Sequence, residues 1–545
     1  MKTLKSRLSL VALMAFSAIT ALVPSQSVPA QAASRAEDAP VAQAKAPPNI
    51  LFILTDDLDL EEIAYMPTLK SLLIDQGTSF SNYFVSVSLC CPSRSTTIRG
   101  QYSHNTGVET NGGGNGGFET AHRLGIESST IATWLQGAGY RTGLFGKYLN
   151  GYPNTAGNTY IPPGWTEWSS AVKGNPYSEY NYTLNTDGTL ITYTHKPKDY
   201  GTTVYTGEVK GFIQQSVQEK KPFFAYMAVY APHQPATPAP GDENKFPDAK
   251  APRTPNYNEA DVSDKPAYIR DLPLMKPAVQ QRVDTLYRKR IQSLQAVDRA
   301  IETLYNTLKS DGQLDNTYII FTSDNGFHLG NHRMPAGKQT AYEEDIHLPF
   351  VVRGPGVAAG KIALQMAGNI DLAPTMAAMA GVTPPDFVDG RSLLPVLLGH
   401  GPSTWRSAYL VEHFNPAPAP ATQAGPNPET QEPNDPDQLP EGQYGDSIQA
   451  TATPVPSNLP TRVHQIPDFH GIRGNGYVYV EYATGEKEFY NLTNDRYELH
   501  NLASKLDPAT RKALSDRLTL LVDCKADRCR AAEDQPLSFS MPVAP

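Results

Sequence analysis

The sequence predicts an α/β protein: a large, mainly parallel sheet flanked by helices, followed by a smaller C-terminal antiparallel α+β subdomain. Three observations predict it. From about residue 47 to 404, strand-length apolar runs alternate with amphipathic helical stretches, the pattern of parallel strands joined by crossover helices. Runs such as Asn49-Ile50-Leu51-Phe52-Ile53-Leu54-Thr55 are continuously apolar, which suits strands covered on both faces. From about residue 405 the pattern changes to short strands at hairpin spacing and a terminal helix. With 545 residues, 40% of them hydrophobic and 19% charged, the chain can bury a large core and is too apolar to be disordered.

The elements follow in order. Lys2, Lys5 and Arg7 precede an apolar run from Leu8 to Val23 and an Ala30-Gln31-Ala32 cleavage site, so residues 1–32 read as an export signal. The run is short for a membrane span, and no later stretch is long and apolar enough to be one. Residues 33–46, rich in Ala and Pro, read as a flexible leader. The strand over 49–55 ends in Asp56-Asp57. Helical spacing (Leu69, Leu72, Leu73) covers 67–76 and stops at Gly77. A short helix over 130–136 leads to a strand over 141–145 that ends at Gly146-Lys147. A helix over 208–219 leads to a strand over 222–229 that ends near Pro232-His233. A long amphipathic helix covers 279–308, with Leu286, Ile291, Leu294, Val297, Ile301 and Leu304 along one face. A strand over 317–322 ends at Asp324-Asn325-Gly326. A strand over 349–353 and a helix over 372–379 complete the larger domain, 47–404. In the C-terminal subdomain, 405–545, a strand covers 407–411 and a Pro-rich insert runs from about 415 to 460. A hairpin over 476–482 and 487–490 and a helix over 508–522 follow.

In a parallel sheet the working residues collect beyond the carboxyl ends of the strands. Four such ends carry Asp56-Asp57, Lys147, His233 and Asp324-Asn325. The net charge of -9 excludes a generic nucleic-acid coat and leaves room for a local basic pocket. The signal implies a secreted or periplasmic protein, free of the membrane once the signal is removed. In that oxidising setting Cys524 and Cys529, five residues apart, read as a local disulfide. Cys90 and Cys91 are adjacent, poorly placed to pair with each other, and call for a separate explanation.

That explanation comes from Leu89-Cys90-Cys91-Pro92-Ser93-Arg94, a C-x-P-S-R motif at the start of a helical turn. The segment resembles the signature of the sulfatase family, within the alkaline-phosphatase-like superfamily, in which the first Cys is oxidised to Cα-formylglycine. Spacing from Pro92 gives that role to Cys90. The Asp56-Asp57 and Asp324-Asn325 pairs, Gly146-Lys147, Ala231-Pro232-His233, and Lys338 followed by Tyr342-Glu343-Glu344-Asp345 match further family elements in order. Gly146-Lys147-Tyr148-Leu149-Asn150 and Asp324-Asn325-Gly326-Phe327-His328-Leu329-Gly330 are most similar to N-acetylglucosamine-6-sulfatases and related glycan sulfatases. The resemblance covers about residues 47–400 well and the tail more loosely.

It implies a sulfuric ester hydrolase acting on a sugar or aryl sulfate. Asp56, Asp57, Asp324 and Asn325, with the converted Cys90, would hold Ca2+, with Mg2+ as second choice; hard oxygen donors suit both ions. Arg94, one helical turn from Cys90, would hold the aldehyde hydrate, helped by a helix N-terminus at Ser93. Lys147 and Lys338 would bind the sulfate oxygens. The hydrate has two hydroxyls on one carbon, one to attack sulfur and one to expel sulfate afterwards. Many relatives carry a His two positions after the first Lys, where this chain has Leu149. His233 and His328 are therefore the candidates for protonating the leaving oxygen, and His328 can instead line the substrate mouth. His104 reads as a hydrogen-bonder behind the site and Asp371 as a helix cap. A formylglycine-generating enzyme is the implied maturation partner. Two other readings remain: a phosphonate or phosphate ester hydrolase on the same scaffold, and a non-catalytic binder of sulfated glycans. Residues 175–198, with Tyr177, Tyr180, Tyr182 and Tyr193, and residues 235–273 read as the loops that choose the substrate. The tyrosines either stack on sugars or pack locally.

Overall fold

The computed structural model describes residues 46–419 and 465–544. The export signal, nearly all of the leader and most of the Pro-rich insert lie outside the described residues. Among those described, ten strands form one sheet. Its order is 361–363, 78–80, 351–353, 317–323, 49–55, 223–228, 141–146, 167–174, 182–186 and 189–192. The core is parallel: Asn49–Thr55 runs alongside both Phe223–Ala228 and Thr317–Ser323, and Arg141–Gly146 lies parallel to Phe223–Ala228. Antiparallel partners join through Val351–Arg353 on one side and Tyr182–Thr186 on the other. All seven residues of Asn49–Thr55 are buried, as a strand covered on both faces requires.

Register fixes where the site falls. Thr55 pairs with Ser323, Leu54 with Ala228, and Gly146 with Ala228. The four strands that end in Asp56, Lys147, His233 and Asp324 are therefore neighbours with flush carboxyl ends. Strands lie about 4.8 Å apart, so four polar tips share one edge of sheet. At Gly146, φ is +116° and an added Cβ would fall 1.9 Å from the Ala228 carbonyl oxygen. Only glycine lets the chain turn there while Lys147 N–H donates to that oxygen at 2.8 Å.

Several elements differ from expectation for identifiable reasons. The helix anticipated over 208–219 begins at Gly201, because the Glu179 carboxylate, distant in sequence, accepts from Thr202 N–H at 2.6 Å. The 67–76 stretch winds as a π-helix over Leu69–Ile74, its entry held by Asp298, which accepts from Thr68 N–H and Leu69 N–H at 3.0 and 2.8 Å. The presumed loop 175–198 contains the hairpin Tyr182–Thr186 and Thr189–Thr192, which extends the sheet. Tyr177, Tyr180 and Tyr182 are buried, and Tyr182 stacks on Tyr193, so these rings pack within the protein.

The C-terminal region forms a separate four-stranded antiparallel sheet: Ala408–His413, Phe469–Gly474, Tyr477–Tyr482 and Lys487–Asn491. Helices Pro508–Val522 and Asp527–Asp534 follow it. Cys524 and Cys529 are bonded. The described residues from Ala46 onward pack as one compact unit. No helix among the described residues is long and apolar enough to cross a membrane.

Candidate active site

Helix Cys90–Arg99 lies over the carboxyl edge of the sheet. It starts three residues before the expected Ser93, since Pro92 sits in the first turn, where its missing N–H costs nothing. It ends at left-handed Gly100, whose N–H donates to Thr96 O at 2.7 Å. Every residue from Cys90 to Ile98 is buried.

The two thiols have different surroundings. Cys90 Sγ lies 3.4 Å from Asp56 Oδ1, 3.9 Å from Asp57 Oδ1 and 3.0 Å from Lys338 Nζ. Cys91 belongs to the large hydrophobic core, and burial pushes its thiol up to about 12, which leaves it protonated and inert. Ser93 Oγ donates to the Asp324 carbonyl and accepts from Asn369 Nδ2 at 3.0 Å. Asn369 Oδ1 in turn accepts from Tyr409 of the small sheet at 2.8 Å. Arg94 donates from Nε to Asp324 Oδ2 at 2.8 Å and from Nη1 to Lys147 O at 3.0 Å. Its Nη2 lies 3.7 Å from Asp56 Oδ1.

Lys147 Nζ reaches Asp56 Oδ2 at 2.6 Å and Lys338 Nζ reaches both Asp57 oxygens at 2.8 and 3.0 Å. The Lys338 loop is held by two neighbours. Gly337 and His328 exchange backbone hydrogen bonds, and Gln339 N–H donates to Ser88 O at 3.1 Å. His233 Nδ1 faces the Gln234 carbonyl at 2.7 Å. A carbonyl only accepts, so Nδ1 carries a hydrogen and Nε2, 3.5 Å from Asp57 Oδ2, is the atom offered to the site. His328 Nδ1 instead meets Asp345 at 3.0 and 3.1 Å. Tyr177, one of the loop tyrosines, packs against His233 with ring centroids 4.6 Å apart, and Lys147 Nζ lies 4.9 Å from its ring centre. Leu149 is buried in the core, and Asn150 Nδ2 donates to Tyr177 Oη at 3.3 Å. Asp371, anticipated as a helix cap, makes no side-chain cap of the Leu372–Met379 helix. Its carboxylate instead accepts from Gly368 N–H at 2.9 Å, capping the single turn Asn369–Asp371, and pairs with buried Arg406 at 2.6 and 2.9 Å, because that guanidinium needs a counter-charge. His104 bonds Glu412 at 2.9 Å and the Cys524 carbonyl at 3.1 Å.

Sequence reasoning missed Arg290. Fully buried in the long helix Pro277–Ser310, it grips Glu62 at 2.6 and 2.8 Å and donates to the carbonyls of Asp57 and Pro232. Its guanidinium also lies 4.3 Å from the Phe327 ring centre. One guanidinium thus ties together the segments that carry Asp57, His233 and His328. Asp57 needs that support, since its φ is +63°, a left-handed conformation costly for a non-glycine residue. The signal was present: Arg290 falls on the apolar stripe, one turn from both Leu286 and Leu294.

The donor set fits a divalent cation. One ligand atom from each of Asp56, Asp57, Cys90 and His233 lies within 4.8 Å of the others. Asn325 Oδ1, fully buried beside them, has no hydrogen-bond partner, while its Nδ2 donates to Asp57 Oδ1 at 2.6 Å. Burial, then repulsion from Asp324, raises the Asp56 carboxyl to about 6, against the pull of Lys147, Arg94 and His233. Burial also opposes ionisation of Asp324, yet Arg94, Lys147 and Lys338 outweigh it and bring that carboxyl down to about 2. Without a cation, Asp56 therefore stabilises the fold below its ordinary 3.8, and that contribution is lost as pH rises through 6. Asp324 contributes above 3.8 and loses its contribution as pH falls towards 2. A cation needs the ionised Asp56, so apparent Ca2+ affinity should weaken below pH 6, approaching about tenfold per pH unit. Titrating Ca2+ against the thermal midpoint at pH 5, 6, 7 and 8 checks this; a flat affinity across the series contradicts it.

The model of the Sulfatase family matches residues 48–382. The chain is 40% identical over 375 residues to the extracellular sulfatase SULF-1 homolog of Drosophila melanogaster, a match covering 67% of this chain and 33% of that protein. It is 33% identical over 508 residues to the N-acetylglucosamine-6-sulfatase of Homo sapiens, covering 89% of this chain and 86% of that one. The solved structure of BT4656 in complex with its substrate D-glucosamine-2-N,6-O-disulfate superposes with a TM-score of 0.67 at 23% identity, over 87% of this chain and 97% of that one. The matches to extracellular sulfatase homologs from Drosophila melanogaster and Caenorhabditis elegans span a third to a half of those relatives' length.

Proposed function

The chain belongs to the sulfatase family, and from that premise we propose that it is an exported hydrolase of sulfate monoesters, sulfated sugars foremost, that works through Cα-formylglycine made from Cys90. The observation that carries this reading is the meeting of Cys90 Sγ, Asp56, Asp57 and His233 within 4.8 Å, flanked by two buried ammonium groups. The similarity to N-acetylglucosamine-6-sulfatase over most of both chains supports a sugar sulfate as substrate. The sequence signal for export and the extracellular relatives support an exported protein.

Asp56, Asp57, Asp324 and Asn325, with the oxygen that replaces Cys90 Sγ, would hold Ca2+ or Mg2+, whose positive charge polarises a sulfate oxygen and lowers the proton affinity of the nucleophile. The hydrated aldehyde supplies a hydroxyl that attacks sulfur and a second that allows sulfate to be expelled. The rest falls to side chains of this chain. Lys147 and Lys338 take the sulfate oxygens and offset their charge in a dry pocket. Arg94 fixes the first turn of the Cys90 helix to Asp324 and balances the nearest carboxylates. His233, as the imidazolium with Nε2–H turned inward, gives that proton to the leaving oxygen and is left as the neutral Nδ1–H ring. His328 holds the Lys338 loop through its backbone, a supporting role in place of proton donation.

The test compares turnover of 4-nitrophenyl sulfate and glucosamine 6-sulfate with that of 4-nitrophenyl phosphate and a phenyl phosphonate ester. Sulfate esters should be hydrolysed at least about tenfold faster. The reverse order would replace this reading with a phosphonate or phosphate ester hydrolase, and binding of glucosamine 6-sulfate without turnover of any ester would replace it with a glycan binder.

A further inference from the structure

A second group of ligating side chains is drawn from the segments before and after Lys338 and from the C-terminal region. His332 is fully buried, and its Nδ1 meets Glu259 Oε2 at 2.6 Å, so Nδ1–H donates and Nε2 presents its lone pair. Burial also holds this ring neutral, down to about 3. A ring nitrogen of His332, a Glu344 oxygen and a Glu498 oxygen lie within 4.8 Å of one another, and Nε2 is the nitrogen left to ligate. Each carboxylate is half used. Glu344 Oε1 accepts from Asn256 and Asn331, both at 2.8 Å, and Glu498 Oε2 accepts from Glu343 N–H at 3.1 Å. Glu344 Oε2 and Glu498 Oε1 are buried with no hydrogen-bond partner, and Glu498 itself is 1% exposed. The Nε2 lone pair receives only a 3.3 Å approach from Asn256 Nδ2. Nearby cations are engaged elsewhere: Arg473 pairs with Glu343 at 2.6 Å, and Lys265 lies 3.5 Å from Glu259.

We propose that His332, Glu344 and Glu498 bind a divalent transition-metal ion of the Zn2+ type, separate from the cation site beside Cys90. One imidazole nitrogen and two carboxylate oxygens, completed by water, is a donor set for such an ion. A carboxylate behind the ligating imidazole, as Glu259 is here, fixes its tautomer and strengthens it as a ligand. The dication balances two carboxylate charges that are otherwise costly to bury side by side. Its place gives it a task. His332 and Glu344 stand equally far before and after Lys338, and Glu498 comes from the C-terminal region. The ion closes the base of the loop that carries Lys338 and fastens it to the C-terminal region.

Two oxygens without partners can also be explained by a proton shared between Glu344 and Glu498, and the experiment separates the two. Whole protein, stripped with a chelator and returned to saturating Ca2+ so that the oxygen site is filled, is titrated with Zn2+ alone, by calorimetry and by metal analysis after desalting. One equivalent of Zn2+ should bind and raise the thermal midpoint. Glu498→Gln keeps the shape and can donate to Glu344, so it folds under either account; it should weaken Zn2+ binding by at least about a hundredfold while leaving the Ca2+ equivalent in place. A zinc-edge anomalous difference map from wild-type crystals grown with Zn2+ needs no variant and should show a peak at His332 Nε2. Absence of Zn2+ uptake by the Ca2+-filled protein, uptake unchanged in Glu498→Gln, or an anomalous peak only beside Cys90 would each overturn the proposal. None of these readouts depends on sulfate ester turnover.

Discussion

Replacing Cys90 with Ala should abolish sulfate ester turnover, by at least about a thousandfold, with little change in the thermal midpoint. The thiol is the only group at the site that the C-x-P-S-R motif offers for conversion, and its three near neighbours, Asp56, Asp57 and Lys338, are held by other partners. Removing the sulfur therefore takes away the nucleophile and leaves the scaffold. Peptide mass analysis gives an independent reading: conversion of the Cys90 thiol to an aldehyde lowers the peptide mass by about 18 Da, from replacement of SH and H by a carbonyl oxygen. Cys91→Ala should retain turnover and instead lose stability, because that side chain packs in the core. Full activity in Cys90→Ala, or an unchanged Cys90 peptide mass in fully active enzyme, would end the formylglycine reading.

Arg94→Ala should be the most damaging substitution in stability as well as activity. The guanidinium is buried with Asp324 and near Asp56, and removing one partner of a buried ion pair costs about 3–5 kcal/mol because the other charge stays behind. A bound cation neutralises the same carboxylates, so the loss of thermal stability should be larger in EDTA than in saturating Ca2+. Arg94→Lys should recover part of the stability and little of the turnover, since a single ammonium cannot reach Asp324 and the Lys147 carbonyl together. Equal destabilisation with and without Ca2+ would mean that Arg94 and the cation do not share those carboxylates.

What the sequence disclosed, and what it hid, follows from the range of the interactions. The strand tips were legible because an apolar run that ends in Asp-Asp or Asp-Asn marks its own boundary, and a parallel sheet sends such ends to one side. Arg290 was legible in principle as a charge on the apolar face of its helix, but nothing local says that it grips the carbonyls of Asp57 and Pro232. The hairpin over 182–192 carries its own mark, Asp187-Gly188, which a search for apolar runs passes over. The start of the 201–218 helix was hidden because its capping carboxylate, Glu179, arrives from another loop. Glu498, more than 150 residues from His332 and Glu344, meets them only after the small sheet is in place. Asp371 read as a cap because its position matches one; it caps the turn Asn369–Asp371 and not the helix after it, and the buried guanidinium that also claims it lies far along the chain at Arg406.

If Cys90 is converted as proposed, the enclosure of its helix would impose an order of events. A thiol with no solvent-exposed surface, enclosed by the side chains of Asp56, Asp57 and Lys338, would offer a second enzyme no way in once the chain has folded. On the proposed formylglycine reading, conversion would come first, on an extended nascent strand, and the fold would afterwards seal whichever form of the side chain it finds. A molecule that folds unoxidised would be locked as a well-formed but inert twin of the active one.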